Sequence, residues 1–118
     1  MNYQKAYDVD ELEVLYNRML ENLKLFSLSG QDQIEQLRGY AIADEVASSI
    51  SDNVKPYATI LFQNKWITLK QFEIITTIDR KLAAMSKDKR LWTDRALEYA
   101  IEWQECRALG NELLGLLK

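Results

Sequence analysis

Across the last thirty residues, Trp92, Ala96, Tyr99, Trp103, Cys106, Gly110, Leu113 and Leu117 recur at alternating spacings of four and three. Such an a/d stripe belongs to one side of a long α-helix that packs against a second helix, and it leaves little room for a β architecture. Small residues (Ala96, Gly110) alternate in it with large ones (Trp92, Trp103, Leu113, Leu117), so the covering helix comes close. That cover is either the first helix of the same chain or a symmetry mate, which leaves monomer and homodimer both open. An unbroken helix of some 29 residues would be about 43 Å long, with Gly110 as the place to bend.

The remainder of the chain carries the same period. Asp8 with Glu11 forms a capping box and Tyr7 with Leu12 a hydrophobic staple, which predicts a first helix bearing Leu12, Tyr16, Met19, Leu23 and Phe26 and ending near Phe26–Leu28. Ser29 caps a second helix through Ile34, Leu37, Ala41, Ile42, Val46 and Ile50. Ser51, Asp52 and Asn53 then read as a break, because all three compete for backbone hydrogen bonds, and Pro56 follows at a position suited to a first helical turn. A short third helix through Tyr57, Ile60 and Leu61 leads to a second capping box, Thr68 with Gln71, which opens a fourth helix through Phe72, Ile75, Ile78, Leu82 and Met85. Asp88 is the candidate cap of the fifth.

One proline and four glycines among 118 residues are too few for the turns of many short strands. The expectation is therefore a single all-α domain over residues 1–118, a compact bundle of four to five helices with a long C-terminal helix. Twelve aromatic residues and 47% hydrophobic composition supply its core. Leu12, Met19, Leu23, Ile34, Leu37, Phe72, Ile75, Leu82, Tyr99 and Trp103 are expected inside. Residues 1–10 lack a basic stretch followed by an apolar run, and eighteen apolar residues never occur together. With a single cysteine, these features suit a cytoplasmic protein with no membrane partner.

Histidine is absent, and Cys106 stands alone. This argues against Ser-His-Asp and Cys-His nucleophiles and against the common zinc ligand sets. The scattered glycines form no phosphate loop, and no cofactor is implied. Carboxylates remain: Glu98, Glu102 and Glu105 on the last helix, read as a solvated face or a partner contact in preference to a magnesium site, since a second acidic motif is missing. Arg80, Lys81, Lys87, Lys89, Arg90 and Arg95 cluster at the turn before that helix with a local net charge of +3, the candidate contact for nucleic acid. Trp92 falls on the stripe and is expected to be mostly buried, and with Trp66 it is a candidate contact for a partner protein. Trp66 is required by neither cap nor staple, which makes it a lid on the bundle or an anchor for a partner protein.

Residues 1–54 carry a net charge of −6 and residues 55–118 a net of +3, so the chain has an acidic end to offer a basic partner. The run Asn64-Lys65-Trp66-Ile67-Thr68-Leu69-Lys70-Gln71 loosely resembles the opening of a helix-turn-helix in small phage and mobile-element proteins, although capping alone explains its Thr and Gln. In general build the chain is similar to small helical immunity proteins and to small helical subunits of nucleoprotein complexes, an analogy of fold class. The leading expectation is a non-catalytic module that binds another protein as an inhibitor, immunity-type factor or assembly subunit. A nucleic-acid-associated accessory subunit using residues 80–95 is the alternative, and a carboxylate-metal enzyme comes third.

Overall fold

A computed structural model describes residues 6–117, so the reading of residues 1–5 falls outside it. The capping boxes set the two clearest helix starts. Asp8 Oδ1 accepts from the Glu11 N–H at 2.8 Å to open α1 (Val9–Ser27), and Thr68 Oγ1 accepts from the Gln71 N–H at 3.2 Å to open α5 (Leu69–Met85). Between them lie α2 (Gly30–Gln36), α3 (Ile42–Ser48) and α4 (Lys55–Gln63), and after them a 3-10 turn (Lys89–Leu91), α6 (Asp94–Tyr99) and α7 (Ile101–Leu116). No strand occurs among the described residues.

Three expectations change. The second helix is divided: Ser29 caps it as expected, but it stops at Gln36, and Gly39, at φ +92°, turns the chain before α3. Glycine is the residue that reaches this backbone region without strain. The break at residues 51–53 is absent. The chain stays helical from 42 to 63, passing from α3 to α4 through a π segment (Ser49–Val54) in which the Lys55 N–H reaches back five residues to the Ile50 carbonyl. Pro56 explains the wide turn, since it has no N–H to donate and its ring would collide with the carbonyl four residues earlier in an α register. The side chains read as breakers bond sideways instead: Ser48 to Asp52, Ser51 to Asp79, and Asn53 to Asn22.

The third change concerns the long last helix, which is two helices. Ala100 is extended at φ −69°, ψ 136°, while α7 runs without interruption through Gly110. In a continuous helix the Leu97 carbonyl would accept from residue 101; here it accepts from Arg107 Nη1 at 2.8 Å, and the Tyr99 carbonyl accepts from Gln104 Nε2 at 3.3 Å. Two side chains one and two turns into α7 therefore hold the break open. The N-cap of α6 is Thr93, and Asp88 caps the 3-10 turn.

Tyr16 lies by Leu117 while Ser27 lies by Gly110 and Asn111, so α1 and α7 run antiparallel. Gln71 bonds the Leu116 carbonyl and Lys81 reaches Glu105, so α5 and α7 do too. The helical part of the stripe is thus covered within the chain: Trp103, Cys106, Gly110, Leu113 and Leu117 are buried between α1 and α5. A Cβ on Gly110 would overlap Ser27 Oγ, which shows how closely α1 approaches. Burial raises the Cys106 thiol to about 11 and keeps it protonated at neutral pH. Together α1, residues 42–63, α5 and α7 make the four-helix body, and α2 with α6 closes one end.

Of the expected core, Leu12, Met19, Leu23, Ile75, Leu82 and Trp103 are buried, and Ile34, Leu37 and Phe72 are half-buried against them. Tyr99 is 65% exposed, because the break at Ala100 takes it off the stripe.

Two glycines separate close approach from open helix surface. A Cβ on Gly30 would lie 2.5 Å from the Leu97 carbonyl oxygen and 2.6 Å from Glu98 Cα, both backbone atoms of α6, whereas one on Gly115 meets nothing within 4 Å. Gly30→Ala is expected to cost about 1–3 kcal/mol by prising α2 from α6. Gly115→Ala is expected to gain about 0.5–1 kcal/mol, the helix penalty of glycine. Thermal unfolding of the two variants checks both signs, and a neutral Gly30→Ala would mean that α2 and α6 are not in contact.

Candidate binding surface

The structure gathers surface features in three places. The first is a cleft of about 260 Å³ between residues 44–52 and the C-terminal half of α5, with Trp92 as one wall. Asp44, Ser48 and Asp52 follow one another a helical turn apart, so the register of α3 and the π segment brings them along one face. Ser51 and Ser86 add hydroxyls, and Ala47, Leu82 and Ala83 form the apolar floor. Trp92 Nε1 donates to Asp44 Oδ1 at 2.6 Å, and the Trp92 ring leans on Trp103 with centroids 5.3 Å apart. Trp92 is partly buried against the core as expected, but it stands outside any α-helix, after the 3-10 turn, with one side on the core and an edge in the cleft. The charged groups lining the cleft are the carboxylates of Asp44 and Asp52, with no cation among them.

The second is a groove of about 400 Å³ at the far end of the bundle, lined by Tyr16, Trp66, Thr68, Gln71, Leu116 and Leu117. Trp66 is 36% exposed and tilts against Tyr16 at 6.1 Å, so it covers the bundle end and still shows an edge to solvent. The segment that positions it is built by capping: Asn64 ends α4, Lys65 takes φ +63°, and Thr68 starts α5. The third place is a shallow groove beside the break at Ala100, where Arg90, Arg95 and Tyr99 meet.

Of the carboxylates expected to share a face, Glu102 and Glu105 do, lining a small cleft with Lys81, Ala84 and Met85, and Glu98 does not. Glu98 is on α6, where its backbone abuts Gly30 of α2, whereas Glu102 and Glu105 are on α7, with Glu105 3.4 Å from Lys81. Among the described residues no three acids or cysteines converge with metal-binding geometry. The basic residues are also dispersed. Lys81 is turned toward Glu105, Arg90 is held by both oxygens of Asp88 at 3.1 and 2.9 Å, and Arg95 lies over the Tyr99 ring at 5.7 Å. The Arg90 guanidinium holds the Asp88 carboxyl below its ordinary range, and Asp88 raises Arg90 in turn. Arg80, Lys87 and Lys89 are exposed.

Asp44, Ser48, Ser51, Asp52, Asp79 and Ser86 were not among the residues expected from sequence. Their signal was present in part as polar residues at helical spacing from 44 to 52, hidden by reading residues 51–53 as a break. Comparison with known proteins adds nothing to this geometry: no family model, curated protein or solved structure matches the chain. Among the described residues no helix is long and apolar enough to cross a membrane.

Proposed function

We propose that this protein is a non-catalytic module that binds another protein through the cleft beneath Trp92, receiving a lysine or arginine side chain of that partner against Asp44 and Asp52. The observation that carries this reading is the lining: two carboxylates, three serines and an indole wall with no basic side chain. Carboxylates accept charge-assisted hydrogen bonds from ammonium and guanidinium groups. The net charge of −6 over residues 1–54, the segment that carries Asp44 and Asp52, supports it by attracting a basic partner. An inhibitor, an immunity-type factor and an assembly subunit all act in this way. With the helical part of the stripe covered inside the chain, we propose a monomer acting in the cytoplasm.

Asp44→Asn together with Asp52→Asn is the test, because asparagine preserves the shape and the acceptor for Trp92 Nε1 while removing both charges. Wild-type protein immobilised as bait in native-host lysate is expected to retain a basic protein after nuclease treatment, and the double variant to lose it. Retention by both baits, or release of the partner by nuclease, would defeat the reading.

A further inference from the structure

Tyr99 is 65% exposed in the groove beside the helix break, and the charged side chains that line this groove are Arg90 and Arg95. The acids of the same helix lie elsewhere: Asp94 and Glu98 are one position away from Arg95 and Tyr99, about 100° round α6, and neither lines the groove. Leu91, Ala96 and Ala100 make an apolar floor. The Arg95 guanidinium carbon lies over the Tyr99 ring, 5.7 Å from its centroid, so cation and ring form one paired surface at the groove.

We propose that this groove binds single-stranded nucleic acid, with a base stacked on the Tyr99–Arg95 pair and the adjoining phosphate contacted by Arg95, while Arg90 stays held by Asp88. Charge complementarity selects an anionic occupant, and the exposed ring selects among anions. An acidic peptide would engage Arg95 and leave the tyrosine face unused, whereas an unpaired base covers it. Duplex bases are stacked on one another and have no free face to offer, which makes the single strand the fitting form. The groove is shallow and open, as suits a strand passing across it. It shares no lining residue with the acidic cleft, so the two readings stand or fall separately.

The test is fluorescence anisotropy with a 5′-labelled oligonucleotide of about 12 bases, a length within the range one small domain covers. Wild-type protein is expected to bind it at low salt. Tyr99→Ala is expected to weaken binding about tenfold or more while Tyr99→Phe binds as wild type, the signature of stacking. Arg95→Gln is expected to reduce the slope of log affinity against log salt by about 0.7, the counterion release for one single-strand phosphate. Tyr99 and Arg95 are exposed, and unchanged thermal unfolding of the variants confirms that the fold is kept. Absence of wild-type binding, wild-type affinity in Tyr99→Ala, or equal affinity for the matching duplex would overturn the proposal. So would poly-glutamate displacing the strand as efficiently as unlabelled oligonucleotide, which would identify an acidic-peptide site.

Discussion

Replacing Trp103 with alanine is expected to cost about 3–5 kcal/mol of folding stability, a large share of the roughly 5–15 kcal/mol available to a small domain. Trp103 is fully buried, its ring packs on Trp92, and its Nε1 donates to the Leu91 carbonyl at 2.7 Å. That hydrogen bond ties α7 to the 3-10 turn that carries Trp92, so the substitution opens a cavity and also loosens the wall of the acidic cleft. Trp103→Phe separates the two effects. It keeps most of the ring and leaves the Leu91 carbonyl without its donor, for an expected cost of about 1–3 kcal/mol. Urea denaturation checks both, and a midpoint that barely moves for Trp103→Ala, with unchanged slope, would place the side chain at the surface.

Gln33→Leu is expected to be the next most damaging change, at about 1–3 kcal/mol. Gln33 is completely buried, and its Nε2 donates to the Leu25 and Phe26 carbonyls at 3.1 and 2.8 Å, closing the C-terminus of α1 from inside the protein. Leucine nearly matches its volume, so the loss comes chiefly from the buried Phe26 carbonyl left without a donor, since the Leu25 carbonyl also accepts from the Leu28 N–H. Arg107 plays the corresponding part for α6 by donating to the Leu97 carbonyl, and it sits 3.5 Å from Gln33 Oε1. Arg107→Met is nevertheless expected to cost less than Gln33→Leu. Burial already penalises this guanidinium, lowering its pKa from the ordinary value, and no carboxylate pairs with it among the ion pairs of the described residues. Removing the charge therefore recovers desolvation energy that offsets the broken hydrogen bond. Urea midpoints for the two single variants and the double variant measure the order and the coupling. A neutral Gln33→Leu would show that water, rather than Gln33, satisfies the end of α1.

Three helix starts were legible because the chemistry that makes them is local; the equally local Thr93 cap of α6 was masked by Asp88. Asp8 with Glu11, Ser29 with Asp32, and Thr68 with Gln71 are spaced three apart, and each cap forms as the spacing predicts. The apolar periodicity likewise placed α1, α4, α5 and α7 and most of the core. Gly39 was a helix-stop signal in plain view, two residues beyond Leu37, and went unread because the apolar stripe continued past it. The candidate cleft was half legible: Asp44, Ser48 and Asp52 show helical spacing, but nothing near them in sequence indicates that Ser86 and Trp92 complete the lining.

By itself, the sequence determined the all-α class, the capped starts of α1, α2 and α5 and most of the faces that had to be buried, because each depends on residues within a turn or two of one another. The tertiary structure alone decided which helix covers the stripe, where the last helix breaks and which charges meet. The break at Ala100 has no glycine or proline behind it. It exists because Arg107 and Gln104 take the Leu97 and Tyr99 carbonyls and because Gly30, some seventy residues earlier, lets α2 press against the α6 backbone. Periodicity records which side of a helix is apolar; it carries no record of a hydrogen bond from a side chain on the next helix, which wins a carbonyl only after the chain has folded back to bring it there.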